Sequence, residues 1–86
     1  MKLKDGLVMG SVAGKTVVIP VGEGMDLNTM ITLNETGKLL WERLEKGAEP
    51  EELVAALLAE YAVYAQKAAY NVDLFVEKLE TQGFLA

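Results

Sequence analysis

The sequence predicts an α+β domain of winged helix-turn-helix-like form, with three short N-terminal β-strands followed by three α-helices. Three observations predict it. A hairpin pattern rich in β-branched residues opens the chain. The run LNETGKLLWERL at Leu33–Leu44 then passes directly from a strand-like segment into an amphipathic helix, and two more helical segments follow on short connections. At 86 residues the chain reads as one domain, residues 1–86, whose core must be efficient to be stable.

Gly6–Val21 reads as the hairpin. Leu7, Val8, Met9 and Val12 precede a turn placed at Gly14-Lys15, where a leading glycine suits a type II′ loop. Thr16-Val17-Val18-Ile19 forms the return strand, and Pro20, which has no N–H for the ladder, marks its end. Gly22-Glu23-Gly24 breaks the pattern into a loop, and Met30–Leu33 reads as the third strand.

Thr32 with Glu35, or Asn34 alone, supplies the cap of the first helix. Its inward stripe is Gly37, Leu40, Trp41 and Leu44, and Gly47 stands where a left-handed residue would end it. Pro50 opens the second helix at a position where its missing N–H costs nothing, and Glu51 and Glu52 favour that positive end. Leu53, Val54, Leu57, Leu58 and Tyr61 make its expected buried face. The third helix runs from about Ala65 to Gln82 on a core stripe of Val72, Phe75, Val76 and Leu79. Gly83 stops it, and Phe84-Leu85 returns to the core.

Composition excludes much chemistry. No cysteine means no disulfide framework and no thiolate, and no histidine removes the usual zinc ligands, so neither a metal nor a cofactor is expected. Glu42, Glu45, Glu49, Glu51 and Glu52 read as a solvated acidic rim. Gly14-Lys15-Thr16 resembles the tail of a phosphate-binding loop, but the upstream glycine is missing and a strand follows where a helix is needed. An enzyme is not expected. A net charge of −5 disfavours nucleic acid and anionic membranes, no run spans a bilayer, and the absence of an export signal fits a cytoplasmic protein.

The third helix offers a binding surface instead. Opposite its core stripe lie Lys67, Tyr70, Leu74, Lys78 and Thr81, an apolar pair with a basic border on a face that solvent alone would make polar. That face suits a peptide with apolar anchors and acidic residues. Thr29–Leu33, if it is a sheet edge, can accept such a peptide as an added strand, and its open N–H and C=O groups are equally available to a second copy of the chain. Trp41 would serve as an anchor if exposed, but its spacing with Leu40 and Leu44 is that of a core residue.

Together these pieces resemble the PqqD-like family, the RiPP recognition elements that include the peptide chaperone of pyrroloquinoline quinone biosynthesis. The likeness rests on LNETGKLLWERL at Leu33–Leu44, EKGAEPEELVAALLAEY at Glu45–Tyr61, NVDLFVEKL at Asn71–Leu79 and QGFL at Gln82–Leu85, in the family's order, and covers roughly Val17 to Ala86. The resemblance implies a non-catalytic domain that binds the leader segment of a ribosomally made precursor peptide. It would present that precursor to a modifying enzyme, often a radical SAM maturase. It also implies that the leader adds beside Thr29, Met30, Ile31, Thr32 and Leu33, with side chains against Tyr70, Asn71, Leu74, Phe75 and Lys78. Asn71 departs from the family, where an aspartate commonly precedes the valine.

The competing reading is a DNA-binding winged helix-turn-helix regulator. A recognition helix needs several exposed Arg or Lys residues, and this one supplies only Lys67 and Lys78 alongside Asp73, Glu77 and Glu80. A third reading is a structural domain that docks on a larger enzyme and binds no free peptide.

Overall fold

In the computed structural model, which describes residues 1–21 and 30–86, the element order is β1 (Leu7–Val12), β2 (Lys15–Pro20), β3 (Ile31–Leu33), α1 (Glu35–Glu45), α2 (Pro50–Glu60) and α3 (Ala65–Gln82). The expected α+β architecture is the observed one. The strands form an antiparallel sheet in the order β1-β2-β3, so β2 is central and β3 is an edge. Val18 pairs with Met9 on one side and Ile31 on the other, and Thr16 faces Leu33. Alternation along β3 buries Ile31 and Leu33 and leaves Thr32 exposed.

The hairpin turn lies one residue earlier than the glycine suggested. Val12 pairs with Lys15, so the loop is Ala13-Gly14, and both residues have positive φ, 52° and 79°. That is the type I′ pattern, whose twist matches the flanking strands. Ala13 therefore holds a left-handed conformation that an L-residue with a Cβ dislikes. Met30 lies just outside β3, and Gly22-Glu23-Gly24 falls outside the described residues, as does Thr29.

Helix boundaries follow their local chemistry. Asn34 caps α1: its Oδ1 accepts the Gly37 amide at 2.8 Å and the Thr36 hydroxyl at 2.9 Å. At α2, Glu52 accepts the Glu49 amide at 3.0 Å, and Pro50 stands in the first turn. At the end of α3, Gly83 is left-handed and the Phe84 amide reaches back to the Leu79 carbonyl at 2.9 Å, a six-residue closure that satisfies a terminal carbonyl.

The core lies between the sheet and the helices. Trp41 is its largest fully buried side chain and meets Phe84 edge-to-face, with centroids 6.3 Å apart and planes at 81°. Around the pair sit Val18, Ile31, Leu33, Leu44, Leu57 and Leu79. The α1 stripe of Gly37, Leu40, Trp41 and Leu44 is buried as expected. On α2 the expectation needs correcting: Leu58 is 42% exposed and Ala56 is buried in its place. Helix α2 packs against both α1 and α3, and Ala56 is small enough for close approach.

One feature had no sequence signal. Met1–Lys4 runs beside the C-terminus, where Leu3 bridges to Leu85, the Lys4 amide meets the Phe84 carbonyl at 2.8 Å and the Ala86 amide meets the Lys2 carbonyl at 3.0 Å. The Ala48 amide also donates to the Met1 carbonyl at 3.0 Å, tying the α1–α2 turn to the same segment. Backbone pairing of this kind carries no side-chain periodicity, so the alternation rules pass over it.

Candidate functional site

A cleft of about 890 Å³ opens where β3 runs into α1 and α3 crosses beside them. Its geometry follows from three local facts. Strand β3 is only three residues long and passes into α1 through the single cap residue Asn34, so strand end and helix start share one rim. The tight Ala13-Gly14 turn brings Gly14, Lys15 and Thr16 to that same end, because Thr16 pairs with Leu33. Helix α3 forms the opposite wall through Asn71, Leu74, Phe75 and Lys78, residues spaced to share one helix face.

The cleft is apolar below and polar above. Leu33 and Leu40 are buried in the core and also line it, and half-buried Phe75 packs on the core while facing the opening. Leu74 is 47% exposed on the wall. Lys15, Lys38 and Lys78 stand exposed at the lining, and the only ion pair among the described residues is elsewhere, between the Met1 ammonium and Glu49. Among the described residues, strand β3 has a ladder partner on one side only, β2.

Of the residues singled out in the sequence, the cleft brings together Thr32, Leu33, Asn71, Leu74, Phe75 and Lys78. It does not include Met30, Ile31, Lys67 or Tyr70. Ile31 points into the core, at 3% exposure, and Tyr70 is 62% exposed outside the lining. The outward face of α3 is exposed as expected, at Lys67, Tyr70, Leu74, Lys78 and Thr81, but the cleft meets only its Leu74 and Lys78 side, together with Asn71 and Phe75. Sequence reasoning missed the hairpin tip and the first turn of α1, including Lys15 and Lys38. A hairpin register one residue earlier would have placed Lys15 in the ladder beside Thr16 and Leu33.

Among the described residues, Glu35 is the one acidic side chain at the cleft lining. Glu42, Glu45, Glu49, Glu51 and Glu52 are all solvent-exposed, and among the described residues no set of three or more His, Cys, Asp or Glu is placed to hold a metal ion. No helix among the described residues is long and apolar enough to cross a membrane.

The family model described as Coenzyme PQQ synthesis protein D (PqqD) matches residues 16–85. The chain belongs to the PqqD family. The match begins at the cleft-lining Thr16 and takes in β3, all three helices and the closing Phe84-Leu85. Among solved structures, the chain is similar to TbiB1 in complex with the TbiA(beta) leader peptide, with a TM-score of 0.79 and 29% identity over 99% of this chain and 94% of that one. It is also similar in fold to a lasso peptide synthetase B1 complexed with the leader peptide, with a TM-score of 0.75 and 23% identity over 96% of this chain and 93% of that one. No curated protein matches the chain.

Proposed function

We infer that this PqqD-family domain is a non-catalytic peptide chaperone that binds the leader segment of a ribosomally synthesised precursor and presents it to a modifying enzyme. The observation that carries the reading is the β3 edge, unpaired on one side among the described residues, beside a cleft walled by Leu74 and Phe75. An extended peptide laid along β3 would satisfy its own backbone through the edge and place alternate side chains in the cleft. The similarity to TbiB1, a structure holding a leader peptide, supports the same occupant.

The residues assigned to the site are Thr32 and Leu33 of the edge with Asn71, Leu74, Phe75 and Lys78 of α3. Ile31, buried in the core, takes part through its backbone only. The mechanism is positional: holding the leader raises the local concentration of the core segment at the partner's active site. The family's association with pyrroloquinoline quinone makes a radical SAM maturase in the cytoplasm the partner to try first.

The test uses the leader of a precursor encoded beside this gene, labelled for fluorescence anisotropy. Saturable binding that a scrambled leader does not show, and that Leu74→Ala weakens, supports the reading. Equal binding of both peptides contradicts it. The DNA-binding alternative has no observation in its favour, since the α3 wall of the cleft carries one lysine and an apolar pair.

A further inference from the structure

Charge is distributed unevenly around this cleft. The chain holds 8 Lys and Arg against 13 Asp and Glu, yet the described lining contains three lysines and one acid, Glu35. The three lysines come from three separate elements: Lys15 from the start of β2, Lys38 from the first turns of α1 and Lys78 from α3. None is ion-paired among the described residues. Three of the chain's 8 basic side chains thus line one cleft beside a single acid, so the described lining carries a charge opposite in sign to that of the whole protein.

The placement is directional. Thr16 pairs with Leu33, so Lys15 lies one ladder step beyond the end of β3, next to Asn34, and Lys38 follows one helical turn above Asn34. Both cations therefore stand at the Leu33 end of β3, Lys15 on its β2-paired side and Lys38 on α1, and line the same cleft as the apolar wall of Leu74 and Phe75. Lys67, the other lysine of α3, is not at the lining.

We propose that the cleft selects peptides in which an aspartate or glutamate stands beside an apolar anchor, the carboxylate lying at the Leu33 end of β3 between Lys15 and Lys38 with Lys78 facing it from α3. The proposal rests on the peptide-binding reading above and adds the chemistry of the peptide. Lysine suits the task because its long stem lies along apolar surface while its ammonium stays hydrated, so each contact is modest and screened by salt. Selectivity then comes from the sum of three such contacts on one bound segment.

The experiment is a selection of short randomised linear peptides, displayed on mRNA, against the immobilised full chain, with affinities of recovered peptides measured by anisotropy. The expected consensus pairs an apolar residue with Asp or Glu. Joint neutralisation by Lys15→Gln, Lys38→Gln and Lys78→Gln should weaken recovered peptides by about tenfold, as a few solvent-screened pairs would, whereas Lys46→Gln at the far end of α1 leaves them unchanged. Lys78→Glu should move the recovered consensus towards Lys or Arg, a change no loss of folding would produce. Apolar, uncharged peptides whose binding ignores both salt and the triple substitution would overturn the charge selectivity and leave the peptide-binding reading intact. Recovery of no peptide at all would overturn both.

Discussion

Two faces of α3 show how one helix serves two ends. Val72 and Leu79 are 1% and 0% exposed and fill the core, whereas Leu74, two residues after Val72, is 47% exposed on the cleft wall. Phe75 stands between them, half-buried against the core and lining the cleft. The buried face packs against α2 and belongs to the same core cluster as Trp41 and Phe84; the other lines the cleft across from β3. Burial thus divides residues that hold the fold from residues free to hold a partner, within a single turn of helix.

Substitutions can break or sharpen that division. Trp41→Ala should be the most costly, losing about 3–5 kcal/mol in denaturant unfolding, because it empties the centre of the core and its aromatic contact with Phe84. Leu79→Ala should cost about 2–5 kcal/mol for the same reason, with any folded fraction binding leader normally. Leu74→Ala should do the reverse: unfolding free energy within about 0.5 kcal/mol of the parent, and leader affinity lower by about tenfold. If Leu74→Ala and Leu79→Ala changed stability equally, the division between the faces would fail.

Smaller effects test the rim. Asn34→Ala removes the acceptor for the Gly37 amide and the Thr36 hydroxyl and should cost about 1 kcal/mol, read by thermal and denaturant melts. Ala13→Asn should stabilise by about 0.5–1 kcal/mol, since Asn-Gly suits the two left-handed positions of the turn. A destabilised Ala13→Asn would show that the hairpin does not use this turn.

The sequence made the architecture legible because each boundary carries a chemical mark: Asn34, Gly47, Pro50 and Gly83 all stand where their backbone preferences predict. The α1 stripe was equally legible from its 3.6-residue spacing. Less was legible where a choice depended on neighbours. Gly14-Lys15 and Ala13-Gly14 both suit a two-residue turn locally, and the β1–β2 pairing of Val12 with Lys15 selects the second. Leu58 and Ala56 are both consistent with a buried face of α2, and the close packing against α1 and α3 selects the smaller residue. The cleft was half legible. Its apolar wall follows from helical spacing, but the convergence of Lys15, Lys38 and Lys78 comes from three elements far apart in sequence, which no local pattern records.

The most direct test of the central claim is an NMR measurement on isotope-labelled protein bound to a neighbouring precursor's leader. The account predicts intermolecular NOEs between the peptide backbone and Ile31–Leu33 in a strand-pairing pattern, with peptide side chains near Leu74 and Phe75. Contacts confined to β1, or none to β3, would contradict it.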